Sequence, residues 1–347
     1  MMADVVIADD GILFNGRTPE HQPLGGAESA VIQLAEALAA RGHRVRAFTT
    51  EAAPLDHKGV SWMPLHFGGP YANLPETCDL YIANRGDKLI SRVRRAKKTV
   101  FWVHNPARYI AKWRYVHKLW ARKPTIVFIG DYHATTCPGW VPDGGRKTIP
   151  YGVTEVFRTA ETRNDLPAPK AIFTSNPLRG LDWLLDVWRM GIAPKVPNAE
   201  LHLFSGSATY GGVGDRKAAE MARVLDVARE MPGVVLRDPV PKAELIPVLL
   251  ESRVMLYRGD ENETYCAALA EAQALGVPCV VERWGSTPER IRHGVTGDVV
   301  EGKEAFAEAA VRVLLDDKVW QSYHDQALAH QRSWSWDDAA QSFEALI

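Results

Sequence analysis

Cysteine is scarce in this 347-residue sequence, with Cys78, Cys137, Cys266 and Cys279 the four present and no CxxC spacing among them. That excludes a zinc-binding pattern and a disulfide-stapled fold, and it favours a reducing compartment. Long apolar runs are missing as well. No stretch reaches the roughly 18 residues a membrane-spanning helix requires. Met1 to Asp10 lack a basic segment followed by an apolar run, so no secretory leader is expected, and the expected location is the cytoplasm, free or peripheral on a membrane face. Charge of neither sign dominates, since 41 Lys and Arg balance 42 Asp and Glu. One local exception stands out: Lys88 to Lys123 contains 12 Lys or Arg and no acidic residue.

Length points to more than one domain, because about 150 residues per domain is the usual expectation. Short apolar runs alternate with helical periodicity along the whole chain, the pattern of parallel sheets covered by helices. Strands are expected at Val5–Ala8, Val45–Phe48, Leu80–Ala83, Thr99–Val103, Ile126–Ile129 and Lys147–Ile149, then at Ala171–Thr174, Leu201–Phe204, Val254–Tyr257 and Val277–Val281. Ala27, Ala30, Val31, Leu34, Ala35 and Leu38 recur at helical spacing, and Arg41-Gly42 supplies a stop. The polar stretch from Arg158 to Lys170 reads as an interdomain linker. The expected organisation is two Rossmann-like doubly wound domains, residues 1–160 and 161–330, with a C-terminal helix at about 331–347 returning to the first. Ligands of such sheets bind beyond the carboxyl ends of the strands, which predicts an interdomain cleft.

The richest chemistry lies in Glu263-Thr264-Tyr265-Cys266 followed by a helix that opens near Ala267 and carries Glu271 about one turn in, with Gly276 and Pro278 beyond it. Carboxylates accept hydrogen bonds from sugar hydroxyls, and a helix start offers free N–H groups to phosphate. Taken alone, two glutamates eight apart are weak evidence, and the plain alternative is two solvated glutamates beside a buried helix. Gly25-Gly26 precede another helix start, where missing side chains permit close approach of an anion such as a donor diphosphate. Glu28 in that first turn either contacts an acceptor or stabilises the helix dipole.

The stretch from Glu263 to Glu271 with its Gly-x-Pro-x-Val tail resembles the signature of the retaining family 4 glycosyltransferases, also called glycosyl transferases group 1, which have the two-domain GT-B fold. The resemblance extends through Gly25-Gly26-Ala27-Glu28, Arg41-Gly42-His43, His104 at a strand end, Ile149-Pro150-Tyr151-Gly152-Val153, Arg179-Gly180-Leu181-Asp182, Pro288-Glu289 and His293-Gly294-Val295-Thr296-Gly297. It implies that Glu271 binds ribose hydroxyls, that Glu263 binds hydroxyls of the transferred sugar, and that the peptide groups of Thr264, Tyr265 and Cys266 approach sugar and phosphate. It further implies that His104 touches the donor sugar and that Arg179, in a slot usually held by Lys, neutralises the diphosphate. Two departures are present: Cys266 stands where the family has Gly, and Thr174 where it has a second basic residue. For Cys266, packing is the simpler reading than thiol chemistry.

The resemblance thus implies a retaining hexosyltransferase acting on a nucleotide-diphosphate sugar as substrate, without a cofactor. No Asp-x-Asp follows a strand, so no metal is expected, and Asp260-Glu261 are expected to face solvent. On the acceptor side the candidates are Glu28, Asn105 and Arg108, and the acceptor itself is a glycan, a lipid-linked saccharide or a small molecule. The basic and aromatic run with Arg108, Lys112, Trp113, Arg114, Lys118, Trp120, Arg122 and Lys123 suits an anionic membrane or a phosphorylated acceptor, with a plain solvated face as the alternative. Nucleic acid is not an expected partner, because no binding module accompanies the charge. The rivals are a sugar-nucleotide epimerase of the same fold and a nucleotide-sugar binding module.

Overall fold

The structure is a computed structural model, describing residues 2–50, 53–66, 74–162, 165–206 and 215–347. The chain divides into two compact units: Met1–His21, Gly25–Gly152 and Ser335–Ile347 form the first, and Gln22–Leu24 with Val153–Trp334 form the second.

The first unit opens with β1 (Asp4–Asp9), whose buried apolar run is what a strand covered on both faces requires. Helix α1 (Gly26–Ala40) buries Ala30, Val31, Leu34, Ala35 and Leu38, the stripe that its periodicity predicts. Each Leu or Val so buried contributes about 1.5–3 kcal/mol. The helix ends where Gly42 turns left-handed at φ 88°. Next come β2 (Arg44–Thr49), β3 (Leu55–His57), β4 (Val60–Pro64), β5 (Thr77–Asn84), β6 (Arg95–Trp102), α2 (Trp113–Arg122), β7 (Thr125–Phe128), α3 (Asp131–Thr135) and β8 (Arg146–Thr148). Among the described residues the sheet order is β3-β4-β2-β1-β5-β6-β7-β8, parallel except for the β3–β4 pair.

The second unit holds α4 (Glu155–Arg158), β9 (Lys170–Phe173), α5 (Leu181–Val187), β10 (Glu200–Phe204), α6 (Asp215–Arg229), β11 (Val234–Arg237), α7 (Lys242–Leu250), β12 (Val254–Tyr257), α8 (Ala267–Ala274), β13 (Cys279–Glu282), α9 (Thr287–Arg290), β14 (Gly297–Val300), α10 (Lys303–Leu315) and α11 (Asp317–Gln331). Its parallel sheet runs β11-β10-β9-β12-β13-β14. In each unit the order reverses beside the first strand of that unit's sheet, the doubly wound topology whose ligand edge lies at the strands' carboxyl ends.

Helix α12 (Trp336–Glu344) returns to the first unit. Ser335 and Asp338 close a capping box at its start. Phe343 packs edge-on against Trp102 at 5.2 Å between ring centres, and Arg41 on the end of α1 pairs with Glu344 at 2.7 Å and Asp337 at 2.9 Å.

Two expectations on organisation need correction. The first unit gives way at Gly152 rather than 160 and resumes at Ser335 rather than 331, because α4 and the chain at Arg332–Trp334 are tied together: Val153 N–H donates to the Trp334 carbonyl and Arg158 Nε to that of Arg332. The stretch from Arg158 to Lys170 therefore lies inside the second unit, not between the two, and its residues 163–164 fall outside the described part. The strands β3, β4, β11 and β14 escape the sequence pattern. In β14 the reason is visible: Gly297 has φ 154°, and a side chain there would collide with the Cys279 carbonyl, so the strand begins with a residue that ordinarily marks a turn.

Candidate functional site

In the second unit the strand ends at β9 and β12 place two loops side by side. After β9, the Asn176 side chain accepts from Leu178 N–H at 2.8 Å and its carbonyl from Arg179 N–H at 2.9 Å, a turn that aims Arg179 before Gly180 enters α5 at φ 80°. After β12, Asp260 accepts from Asn262 N–H at 2.6 Å through its side chain and from Glu263 N–H at 3.0 Å through its carbonyl. Arg179 meets this second loop: its guanidinium lies 2.9 Å from Asp260 and 3.5 Å from Glu263. The buried Tyr257 hydroxyl donates to the same Glu263 carboxylate. Glu261 is exposed as expected, whereas Asp260 is half-buried and paired with the guanidinium.

The charges at this cluster are mutually arranged. Burial alone depresses the Arg179 pKa, but Glu263, Tyr257 and Asp260 outweigh it and the net shift is upward. Burial, reinforced by Cys266 and Glu263, pushes the Tyr257 phenol well up, so it stays a donor. Glu263 and Thr264 are each 8% exposed, which removes the solvated-glutamate reading for this residue.

Cys266 caps α8 with φ 61° and ψ 77°, a left-handed backbone that a residue with a side chain seldom adopts. The glycine of the resembling family is explained by that dihedral. Burial raises the thiol pKa well above its ordinary value, which keeps it protonated and makes packing its role. Tyr265 is buried beneath Arg290, whose guanidinium sits 4.5 Å from the ring centre. One turn into α8, Glu271 is also buried and forms an ion pair with Lys242 at the start of α7. Among the described residues no three His, Cys, Asp or Glu side chains are grouped in the manner of a metal site.

The first unit has its own polar cluster at the carboxyl ends of its strands. Asn84, ending β5, donates to Asp9, ending β1, so the Asn84 carbonyl oxygen is left to accept from His104 Nε2. His104 Nδ1 then accepts from the Tyr151 hydroxyl. Burial, with the Arg85 charge, depresses the His104 pKa well below its usual value, so the ring is neutral. His104 does sit just past β6 as expected, but its ring is buried rather than projecting freely, because Asn84 and Tyr151 engage both nitrogens. Arg85, with φ 49°, pairs with Asp9 at 3.1 Å and Glu28 at 2.8 Å. Glu28 is therefore ion-paired within the first unit. Gly26 faces open space, whereas a side chain on Gly25 would meet the Glu28 carboxylate. Asn105 and Arg108 are exposed, and the Asn105 carbonyl accepts from His133 Nε2 at 2.8 Å.

The basic run is less uniform than its sequence. Lys97 pairs with Asp79 at 2.6 Å, Lys118 with Asp87 at 2.5 Å, and Arg122 caps the carbonyls of Val93 and Arg94. On α2 the inward residues are Tyr115 and Leu119, while Trp113 and Trp120 are 77% and 68% exposed.

Residues missed in the sequence are Tyr257 and Lys242 in the second unit and Asp9, Asn84, Arg85 and His133 in the first. Three of them share a signal of position, since Tyr257, Asp9 and Asn84 each end a parallel strand. Comparison with known proteins bears on this geometry. Residues 169–316, most of the second unit, match the family of glycosyl transferases group 1. Over those residues the second unit resembles the glycosyl transferases group 1. It is similar to D-inositol 3-phosphate glycosyltransferase of Corynebacterium diphtheriae, 32% identical over 129 residues that cover 37% of this chain and 29% of that protein. A GDP-mannose-dependent alpha-mannosyltransferase of Corynebacterium glutamicum is 32% identical over 118 residues, covering 29% of this chain and 28% of the relative. The matched stretches thus span under a third of these relatives' own length. Among solved structures, sucrose-phosphate synthase from Thermosynechococcus elongatus superposes with a TM-score of 0.78 at 16% identity, covering 99% of this chain and 98% of that one. Anabaena HepE in complex with UDP and glucose gives 0.72 at 16% identity with the same coverage. The fold is GT-B, two Rossmann-like units in one chain.

Proposed function

We propose that the chain is a retaining, metal-independent glycosyltransferase that moves a hexose-type sugar from a nucleotide-diphosphate donor to a saccharide, lipid-linked or small-molecule acceptor. The observation that carries this reading is the convergence of Arg179, Glu263 and the start of α8 in a unit that matches the group 1 family. In this reading Glu271 accepts hydrogen bonds from the ribose, Glu263 from the sugar, and the N–H groups from Thr264 to Ala267 and the guanidinium of Arg179 receive the diphosphate. The bond from the anomeric carbon to the diphosphate breaks, the acceptor oxygen bonds to that carbon on the same face, and the acceptor proton passes to the departing phosphate oxygen. Developing negative charge on that phosphate is stabilised by Arg179 and the helix start, which is why no cation is invoked. His104, neutral and held by Asn84 and Tyr151, serves as an uncharged contact and not as a proton shuttle.

The test is calorimetry against a panel of nucleotide sugars, followed by acceptor-dependent turnover in excess EDTA. Donor conversion without any acceptor supports an epimerase instead, and donor binding without turnover on any acceptor supports a binding module. Loss of turnover in EDTA with recovery on manganese overturns metal independence.

We further propose that the acceptor side works at an anionic membrane, with the protein peripheral on its cytoplasmic face. Trp113, His117 and Trp120 fall at i, i+4 and i+7 on the exposed side of α2, beside Lys112, Arg114 and Lys123. No helix among the described residues is long and apolar enough to cross a membrane. Co-sedimentation with vesicles containing phosphatidylglycerol, reversed by salt and weakened in a Trp113→Ser, Trp120→Ser variant, is the expected result. Equal failure with neutral and anionic vesicles overturns it.

A further inference from the structure

The ion pair between Lys242 and Glu271 has a feature ordinary surface pairs lack. Helix α8 has the sequence AALAEAQA, with Glu271 its one charged residue, and Leu269 to Ala274 are all buried. A carboxylate in such a place is costly unless a cation compensates it. Gln273, two residues on, is satisfied separately through its donation to the Thr296 carbonyl at 2.6 Å. Lys242 supplies the compensation for Glu271: its ammonium donates to Oε1 from the first residue of α7, and its side chain remains a third exposed. A carboxylate offers about four acceptor positions on two oxygens. With Oε1 engaged by lysine, Oε2 is the oxygen that meets no side-chain donor among the described residues and is open to a ligand.

We infer that Lys242 is a positioning residue for the nucleoside: it holds the Glu271 carboxylate turned so that the second oxygen accepts from the ribose hydroxyls. This rests on the donor reading above. It adds that the ribose contact is built by two residues 29 positions apart, on different helices, rather than by the α8 glutamate alone.

The experiment compares ribose with 2′-deoxyribose. Affinities of UDP and GDP, and of their 2′-deoxy counterparts, are measured by calorimetry for wild type, Lys242→Met and Lys242→Arg, with circular dichroism to check folding. In wild type, loss of the 2′-hydroxyl is expected to weaken binding at least about tenfold, since that hydroxyl bonds to a charged acceptor. Lys242→Met should weaken the ribonucleotide and bring the ribose-to-deoxyribose ratio to within about twofold, while Lys242→Arg preserves most of the ratio. If Lys242→Met weakens both nucleotides equally and keeps the wild-type ratio, the lysine acts on phosphate or on folding and the inference is overturned. Wild type binding both forms equally overturns the ribose contact of Glu271 and leaves nucleotide binding standing. Wild type binding none of UDP, GDP, ADP, CDP and dTDP overturns the donor reading itself.

Discussion

Tyr257 donates to Glu263 from the last residue of β12, so a strand end and the loop that follows it are locked by one buried hydrogen bond. A hydrogen bond to a charged group contributes about 1.5–3 kcal/mol, and an unmet buried carboxylate loses that and more. Tyr257→Phe is expected to lower the thermal midpoint of the second unit and to reduce kcat/KM at least about tenfold. An unchanged midpoint and unchanged kinetics would show that Arg179 alone holds the glutamate.

Cys266 offers a test of backbone strain. Holding a residue with a side chain in the left-handed region costs about 1–2 kcal/mol. Cys266→Gly should leave stability unchanged or raise it by about 1 kcal/mol, despite the lost packing of the thiol. Cys266→Val, branched at Cβ, should destabilise by about 2 kcal/mol or more. Denaturant titration reads both. Iodoacetamide at pH 8 should leave Cys266 unlabelled in the native protein, because burial keeps the thiol protonated.

Arg179 and Asp260 make a directional pair. Removing the guanidinium in Arg179→Ala should cost about 2 kcal/mol or more in transition-state stabilisation, near thirtyfold in kcat/KM. Asp260→Asn should act oppositely on binding, since the guanidinium 2.9 Å away loses a competing anion and faces phosphate more freely. Titration of UDP and GDP at fixed salt checks this. Weaker nucleotide binding in Asp260→Asn would mean that the aspartate positions Arg179 instead of competing with phosphate.

The first unit should be sensitive to acid. His133 is fully buried, accepts from Ile129 N–H at Nδ1, donates from Nε2, and burial lowers its pKa from 6.5 to about 4. Between those values the unfolded chain binds a proton that the folded one refuses. Its contribution is therefore present above pH 6.5 and is lost as pH falls toward 4, about 2 kcal/mol between pH 7 and pH 5. His104 is depressed for the same reason and acts in the same direction. The thermal midpoint of the first unit should drop over that interval, and His133→Gln, though less stable, should show a shallower dependence. An equal slope in the variant would place the acid sensitivity elsewhere.

Much of this organisation is legible in the residue order. Parallel strands buried on both faces announce themselves as apolar runs, which is why β1, β5, β9, β12 and β13 are recognisable. The loop and helix from Glu263 to Glu271 are local, so their spacing survives in one dimension. Short strands are harder: β3 spans Leu55–His57, too few residues for any alternation to emerge. The basic run misleads for a different reason, since the acids that pair with Lys97 and Lys118, Asp79 and Asp87, lie outside it in the chain.

Residue order therefore sets the period of each segment, the turn chemistry between them, and the presence of two carboxylates near a helix start. Which of those carboxylates are desolvated, and what compensates them, is fixed by packing in three dimensions. Glu263 meets Arg179 from another loop, Glu271 meets Lys242 from another helix, and His104 meets Tyr151 from another strand end. Periodicity is a property of neighbours along the chain, so it can be read from residue order. Desolvation and ion pairing depend on groups brought together across the sheet, and they exist only once the strands are in place.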